Sequence, residues 1–595
     1  MRRGRTGCAA RCPSRRCVPH ALTTTFQRRI RTHEGCRKAL MMSIFAIRPS
    51  RATAEKHRAA DVWRDSGPIG DLRRWRDESP DAIAIRAYRA GTAPAEMSSV
   101  ELSYADYAHY VERFAGALYE LGVRPGQVVA FQLPNWWQSG ALLLAAMRLQ
   151  AVLAPIMTTI RPRELEPMLA RVGANVCVTV DEWDGFHHAA ALREMAPRLP
   201  ELRHRVVIGT ADDGETEFSS FFEDTPWEQR HPVALDGASE DPDRVAILFF
   251  TSGTSGEPKG ALHSHNTVHA GMACLGDPGV GQQDVIFTPH ALMHTLAYRS
   301  TLLSLWSGAC RVLLDSWSGE RGAAILAETG TTIMLGAPTF IQDVIAAWDG
   351  EPQRLPALHA LVCSGTTIPR PLVSQARRVF GVPLQAGWGM TETGLITRTR
   401  EDDWPEWATH SDGRPCKGVE IDLRSDTDIT HAQPGRAFVR GGGVCLATVG
   451  RDTGKVVVIA DQNDGWYDTG DLAAPDGCGG FKLMGRAADR IGGVFMIPVN
   501  DVESALLGHP GVADVALVGY LTDDGGELAC AAIVPATSPP VTLDELCEYL
   551  GGQGMTQWYL PSRLALVETL PRNTNGKVRK ELLRRWLRGE AALTE

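Results

Sequence analysis

The sequence predicts an α/β protein in two parts, a large N-terminal domain of layered sheets and helices and a small α+β C-terminal domain. Three observations carry that expectation. The chain has 595 residues, more than one compact core usually holds. From Val128 to Cys363 short apolar runs alternate with helix-like lengths, the pattern of a largely parallel sheet. Past Gly485 the pattern restarts on a smaller scale, which places a boundary at residues 484–489. The expected division is a basic extension at 1–42, an N-terminal domain at 43–484 and a C-terminal domain at 485–595.

Order is expected to begin near Ile69. Residues 105–121 carry Tyr107, Val111, Phe114, Leu118 and Leu121 at helical spacing and stop at Gly122, a residue suited to a helix C-terminus. Apolar runs follow at 128–133, 141–149 and 175–180. Residues 211–243 are acidic and irregular, which predicts a surface connection. Strand-like runs come next at 245–250, 285–288, 311–314, 332–335 and 360–363. In the last part, 515–520 and 528–534 read as strands, and 543–550 and 580–587 as helices.

Composition narrows the function classes. A net charge of −9 argues against a general nucleic-acid binder. No apolar run approaches the roughly 20 residues of a membrane helix, so a soluble, cytoplasmic protein is expected. The charge is uneven: residues 1–40 hold ten Arg and Lys38 against Glu34 alone, about +10. That head resembles a transit peptide in composition and lacks the apolar stretch of a secretory signal. A disordered extension, with the true start at Met41 or Met42, is the other reading. Four of the 13 Cys lie in the head at irregular spacing, and the rest are scattered singly, as buried thiols in a reducing compartment would be.

The segment FTSGTSGEPKG at 250–260 carries the strongest chemical signal. It follows a strand-like run and groups three Gly, two Ser and two Thr around one Lys. Glycines let backbone approach an anion closely, and successive N–H groups and hydroxyls wrap phosphate oxygens. Lys259 supplies a mobile cation for outer phosphates. A Walker loop would need Gly directly before the Lys, where Pro258 stands.

These residues resemble the nucleotide loop of the adenylate-forming superfamily, which comprises acyl-CoA synthetases, adenylation domains and luciferases. Further motifs follow in order: GWGMTETG at 387–394, YDTGDL at 467–472, Gly485-Arg486 with Asp489, and LPRNTNGK at 570–577. The resemblance runs over roughly residues 60–590. It implies an ATP- and Mg²⁺-dependent ligase that joins a carboxylate to AMP and passes the acyl group to a thiol, that of coenzyme A being the expected one. It also implies the site. Thr251, Ser252, Gly253, Thr254, Ser255, Gly256 and Lys259 cradle the phosphates. Thr391 hydrogen-bonds a phosphate and Glu392 holds Mg²⁺. Trp388, flanked by Gly387 and Gly389, offers its face to adenine, while Ser364, Gly365 and Thr366 line the other side. Asp471 accepts the ribose hydroxyls with Arg486 assisting, and Lys577 bridges the acyl carboxylate and the α-phosphate. The small domain is implied to be mobile, rotating after adenylation about position 488. There the family usually has Asp or Lys and this chain has Ala488. The following loop is slightly short, with Gly492 and Gly493 left to admit the pantetheine arm.

The acid pocket is expected from residues 288–306, with His294 as a gate, and from Met334, Gly336 and Pro338. Their apolar neighbours favour a fatty, alicyclic or aromatic acid over an amino acid, and the IPV ending at 497–499 looks like the cyclohexanecarboxylate and short- to medium-chain fatty-acid ligases. Loading of an acyl carrier protein in trans, a luciferase-like oxidation and an ATP-binding protein without turnover are the alternatives.

Overall fold

Two nine-stranded sheets flank a layer of helices in the N-terminal part. The computed structural model describes residues 44–593 except 94–95, 233–239, 252–258, 277–278, 366–367, 369, 401–402, 405, 426–427, 431–433, 451–454, 462, 487–490, 492–496, 498, 523–525, 572–577 and 579. The basic head, Ser252, Gly253, Thr254, Ser255, Gly256, Thr366, Ala488, Gly492, Gly493 and Lys577 therefore lie outside the described residues.

The first sheet has a parallel centre made of Leu384–Met390, Ala360–Cys363, Ile333–Gly336, Val285–Phe287, Cys310–Leu314 and Ile83–Ala90, in that order. The second runs parallel through Val245–Thr251, Val152–Pro155, Val128–Gln132, Val176–Val180, His204–Ile208 and Thr216–Glu217. Antiparallel strands close both: Met97–Ser103, Gly394–Arg398 and Arg414–Pro415 on the first, and Lys259–Ser264, Ala447–Val449 and Val456–Val458 on the second. A fully antiparallel sheet of Val419–Arg424, Gly435–Gly441, Tyr467–Pro475 and Phe481–Arg486 follows. Beyond it, Val512–Leu521, Glu527–Pro535 and Arg563–Leu566 form a three-stranded sheet with its own apolar core around Val502, Leu517 and Leu546. The mixed α/β class and the large-plus-small arrangement are as expected from sequence.

The central helices explain why one layer serves two sheets. Along Trp137–Arg148 every residue from Gln138 onward is buried, as fits a helix apolar on nearly all sides. Its neighbour Tyr104–Glu120 is fixed at the start by a reciprocal cap between Ser103 and Asp106. One apolar cluster joins these helices to strand residues of both sheets, among them Phe131, Ile247, Leu313 and Val362.

Two expectations need correction. Order begins before Ile69: Ile44 is buried against Val128 and Val152, and Ser50 caps the helix Arg51–Ala59. Nor are residues 211–243 merely a surface connection. Phe218 and Phe222 lie four apart around the single π-helical turn Ser219–Glu223, stack at 4.9 Å and meet Phe114 edge-on. Trp227 joins the same core. The acidic residues between them mask this apolar spacing in a composition reading. At the far side, Thr556 Oγ1 donates to Glu164 Oε2 at 3.1 Å, a buried contact between the C-terminal part and the second sheet's outer helix Pro162–Val172.

Removing a fully buried ring leaves a cavity, so Phe222→Ala is expected to destabilise by about 3–5 kcal/mol. The control Leu566→Ala, at a position 45% exposed, should change stability by less than about 1 kcal/mol. Urea unfolding midpoints compare the two, and an unchanged midpoint for Phe222→Ala contradicts the burial.

Candidate functional site

Parallel strands deliver their C-terminal ends to one edge, where the sequence-predicted residues gather. In the first sheet these ends are Phe287, Gly336, Cys363 and Met390. Ser364 follows Cys363 and donates its backbone N–H to Gly336 O at 3.0 Å. Gly365 has φ +98°, and open space surrounds the place a Cβ would take. Ser364 stands beside Gly387, within 3.5 Å of where a Cβ there would be. Thr251 and Lys259 pair across Val245–Thr251 and Lys259–Ser264, so the two ends of the glycine-rich segment face each other at the second sheet.

The turn after Leu384–Met390 is held from three directions. Met390 pairs with Gly394, which has φ +70°, and a Cβ there would collide with Gly271 and Arg299. Gly389 is equally constrained, since a Cβ would lie 2.4 Å from Gly394 O. The Thr391 carbonyl accepts from His263 Nε2 at 2.8 Å and from Arg299 Nη2 at 3.4 Å. Glu392 O accepts from Cys445 N at 2.7 Å. A carbonyl only accepts, so His263 carries its proton on Nε2, leaving Nδ1 to face the Thr267 hydroxyl at 3.0 Å. The Glu392 side chain sits 3% exposed in this turn.

Asp471 meets this motif from the antiparallel sheet. The Thr469 hydroxyl donates to Ala437 O at 2.7 Å and accepts from Asp471 N at 3.1 Å, bending the strand locally. Trp388 Nε1–H then donates to Asp471 Oδ2 at 3.0 Å across 83 residues of sequence. Arg486 lies opposite Asp471 in register on the adjoining strand. Trp388 is 6% exposed and packs with Ala261, Ile396, Val439 and Val444, with its indole N–H on the Asp471 carboxylate.

The acid-pocket segment forms a buried, ring-lined patch. His294 caps the helix Thr295–Ser307, its Nδ1 accepting from Leu296 N at 3.3 Å. Its neutral tautomer therefore carries hydrogen on Nε2. His290 and His294 stack at 5.1 Å, and Phe340 meets His290 edge-on at 4.9 Å. Met334 and Pro338 are buried, while Gly336 ends its strand where an added Cβ would come within 3.6 Å of Phe340. Burial pushes the His294 imidazole down to about 4. It holds His263 and His290 well below the ordinary range, helped by the Arg299 and Arg311 guanidiniums respectively.

Sequence reasoning missed His263, Arg299, Asn135 and His290. Arg299 is buried, with its donors on Thr295 Oγ1, Val268 O and Thr391 O. Asn135 donates to His290 O and Leu314 O at 3.0 Å each. No local motif signals such residues: His263, Arg299 and Asn135 each bond backbone groups distant in sequence, and the burial of His290 comes from packing with Phe340.

The chain matches known proteins along nearly its whole length. The family described as AMP-binding enzyme matches residues 72–447, and the AMP-binding enzyme C-terminal domain matches 501–577. A medium-chain fatty-acid–CoA ligase of Escherichia coli is 27% identical, covering 89% of this chain and 92% of the relative. A salicyl-AMP ligase / salicyl-S-ArCP synthetase of Mycobacterium tuberculosis is 30% identical, covering 90% and 93%. The apo structure of Mycobacterium smegmatis MbtA superimposes with a TM-score of 0.65 at 26% identity, covering 92% and 99%. Among the described residues no helix is long and apolar enough to cross a membrane.

The neutral imidazoles set a pH dependence. His294 titrates near 4 when folded against about 6.5 unfolded, so the unfolded chain takes up its proton first as pH falls. Stability from this group is complete above about pH 6.5 and drains as pH drops toward about 4. His263 and His290 act in the same direction. The urea midpoint should hold constant between about pH 8 and 7 and fall between about 6.5 and 5, on the order of 1 kcal/mol per group per pH unit. A midpoint that rises over that lower window contradicts the assignment.

Proposed function

The chain belongs to the AMP-binding enzyme family, and on that premise we propose that it activates a hydrophobic carboxylic acid with ATP and passes the acyl group to coenzyme A. It is an enzyme of the AMP-forming acyl-CoA ligase kind, which works with ATP, Mg²⁺ and coenzyme A. The observation that carries the reading is the Trp388–Asp471 hydrogen bond. Two motifs read separately in the sequence converge through it on one edge.

Two anions repel strongly in a dry site, so the protein must neutralise phosphate while holding the acid in line. Lys259 and the glycine-rich segment take the outer phosphates, and Thr391 takes another phosphate oxygen. Asp471 and Arg486 hold the ribose, which suits a carboxylate fixed on one side by an indole N–H. Glu392 is the carboxylate for Mg²⁺, which supplies charge neutralisation on the phosphates. The buried carboxylate of Glu392, in the turn after Leu384–Met390, is a donor suited to this hard cation. Lys577 steadies the acyl carboxylate against the α-phosphate. A carboxylate oxygen bonds to the α-phosphorus as pyrophosphate leaves. The thiol sulfur, losing its proton, then bonds to the acyl carbon as AMP leaves.

Met334, Leu292, Met293 and Phe340 favour a hydrophobic acid. The relatives' names cover a medium-chain fatty acid and salicylate, both hydrophobic. The salicyl-S-ArCP relative at 30% identity supports a second reading in which the acceptor thiol belongs to a carrier protein.

Pyrophosphate release across fatty, alicyclic and aromatic acids tests activation, and thioester analysis with coenzyme A tests transfer. Lys577→Ala should reduce adenylate formation by on the order of 10²–10³ while supplied acyl-AMP is still converted to acyl-CoA. Equal loss of both half-reactions overturns the role given to Lys577.

A further inference from the structure

His290 is a buried polar side chain without a hydrogen-bond partner among the described residues. It is 3% exposed, and neither ring nitrogen meets a donor or acceptor among them. Its position is not loose. Its carbonyl is pinned by Asn135 Nδ2, whose own oxygen accepts from Leu292 N. Its ring packs against His294 and Phe340, and Phe340 meets Trp317 edge-on at 5.0 Å.

A neutral imidazole has one N–H to donate and one nitrogen lone pair to accept. Burying both unmatched forfeits their hydration with nothing in return, and native interiors rarely keep such groups without a water or ligand. The surroundings favour that neutral form. The Arg311 guanidinium is fully buried close by, and it donates to Ile286 O at 3.1 Å, to Thr288 O at 3.4 Å and to Thr301 Oγ1 at 3.3 Å. A second cation beside it would be repelled. A phenylalanine would fill the same space without the penalty, so the two nitrogens need a purpose. The residue stands just past the C-terminal end of Val285–Phe287, on the edge where Gly336 and Ser364 also lie.

We propose that His290 hydrogen-bonds an oxygen substituent on the tail of the acid, so that the substrate is a hydroxy- or oxo-substituted hydrophobic carboxylate and not a plain hydrocarbon acid. This rests on the ligase reading above and names its substrate class. His294 differs in kind, because its Nδ1 is used to cap a helix. His290 is therefore a specificity residue. It touches the tail and takes no part in the bonds that form and break.

The test is acid-dependent exchange of labelled pyrophosphate into ATP by the full chain, using matched pairs. Benzoate is compared with its three monohydroxy isomers, and cyclohexanecarboxylate with its hydroxy and oxo derivatives. At least one oxygenated member should exceed its plain partner in kcat/KM by about 10- to 100-fold, the range of one buried hydrogen bond. The arms also separate hydroxyl from ketone recognition. In His290→Phe that ratio should fall to near 1, with a melting temperature no lower than wild type. His290→Gln, which restores a donor and an acceptor, should recover part of the ratio. Plain and oxygenated acids used equally by the wild type, or a ratio unchanged in His290→Phe, overturns the proposal. Exchange with none of these acids, nor with fatty acids from short to long chain and their hydroxy and oxo derivatives, overturns the ligase reading itself and this proposal with it.

Discussion

The Thr391 carbonyl is the point on which the site depends. It accepts from His263 on a strand of the second sheet and from Arg299 on a helix of the central layer. Thr391 itself follows a strand of the first sheet. One backbone oxygen thus ties together both sheets and the helices between them. The close approach of Gly394 to Gly271 lets the turn reach that position. A buried, uniquely placed turn is pre-organised before any ligand arrives, which is how fixed dipoles lower a barrier without reorganising during reaction.

Burial then sorts the charges. Burial lowers the Arg299 guanidinium to about 10, which still leaves it a cation at neutral pH beside the Thr391 turn. The same desolvation lowers the imidazoles of His263, His290 and His294 and leaves them neutral. The two sides thus differ: Arg299 sets a cation beside the Thr391 turn, while the acid-pocket imidazoles stay neutral with the Arg311 charge held on backbone carbonyls nearby. Such a division suits a reaction in which one partner is a polyanion and the other carries a carboxylate on a hydrophobic body.

Much of this was legible in the sequence because it is local. The strand at Ala360–Cys363 and the helix at Lys580–Leu587 follow from periodicity within a few residues. The motifs at 387–394 and 467–472 are legible through their order and their resemblance to the adenylate-forming superfamily. What escaped is non-local. The indole of Trp388 looks like a free aromatic until Asp471 is brought against it by a separate sheet. Phe218, Phe222 and Trp227 were hidden among acidic neighbours. His290 looks like any polar loop residue until its burial, and the lack of a partner among the described residues, are seen.

The account centres on direct attack of the acid on the α-phosphate, and isotope transfer tests that bond most directly. An accepted acid labelled with oxygen-18 in its carboxylate is turned over with ATP, Mg²⁺ and coenzyme A, and the products are weighed by mass spectrometry. One labelled oxygen should appear in AMP and none in pyrophosphate, because the bridging oxygen leaves with the nucleotide when the thiol attacks. Label in inorganic phosphate or pyrophosphate, with unlabelled AMP or with ADP as product, would contradict the account.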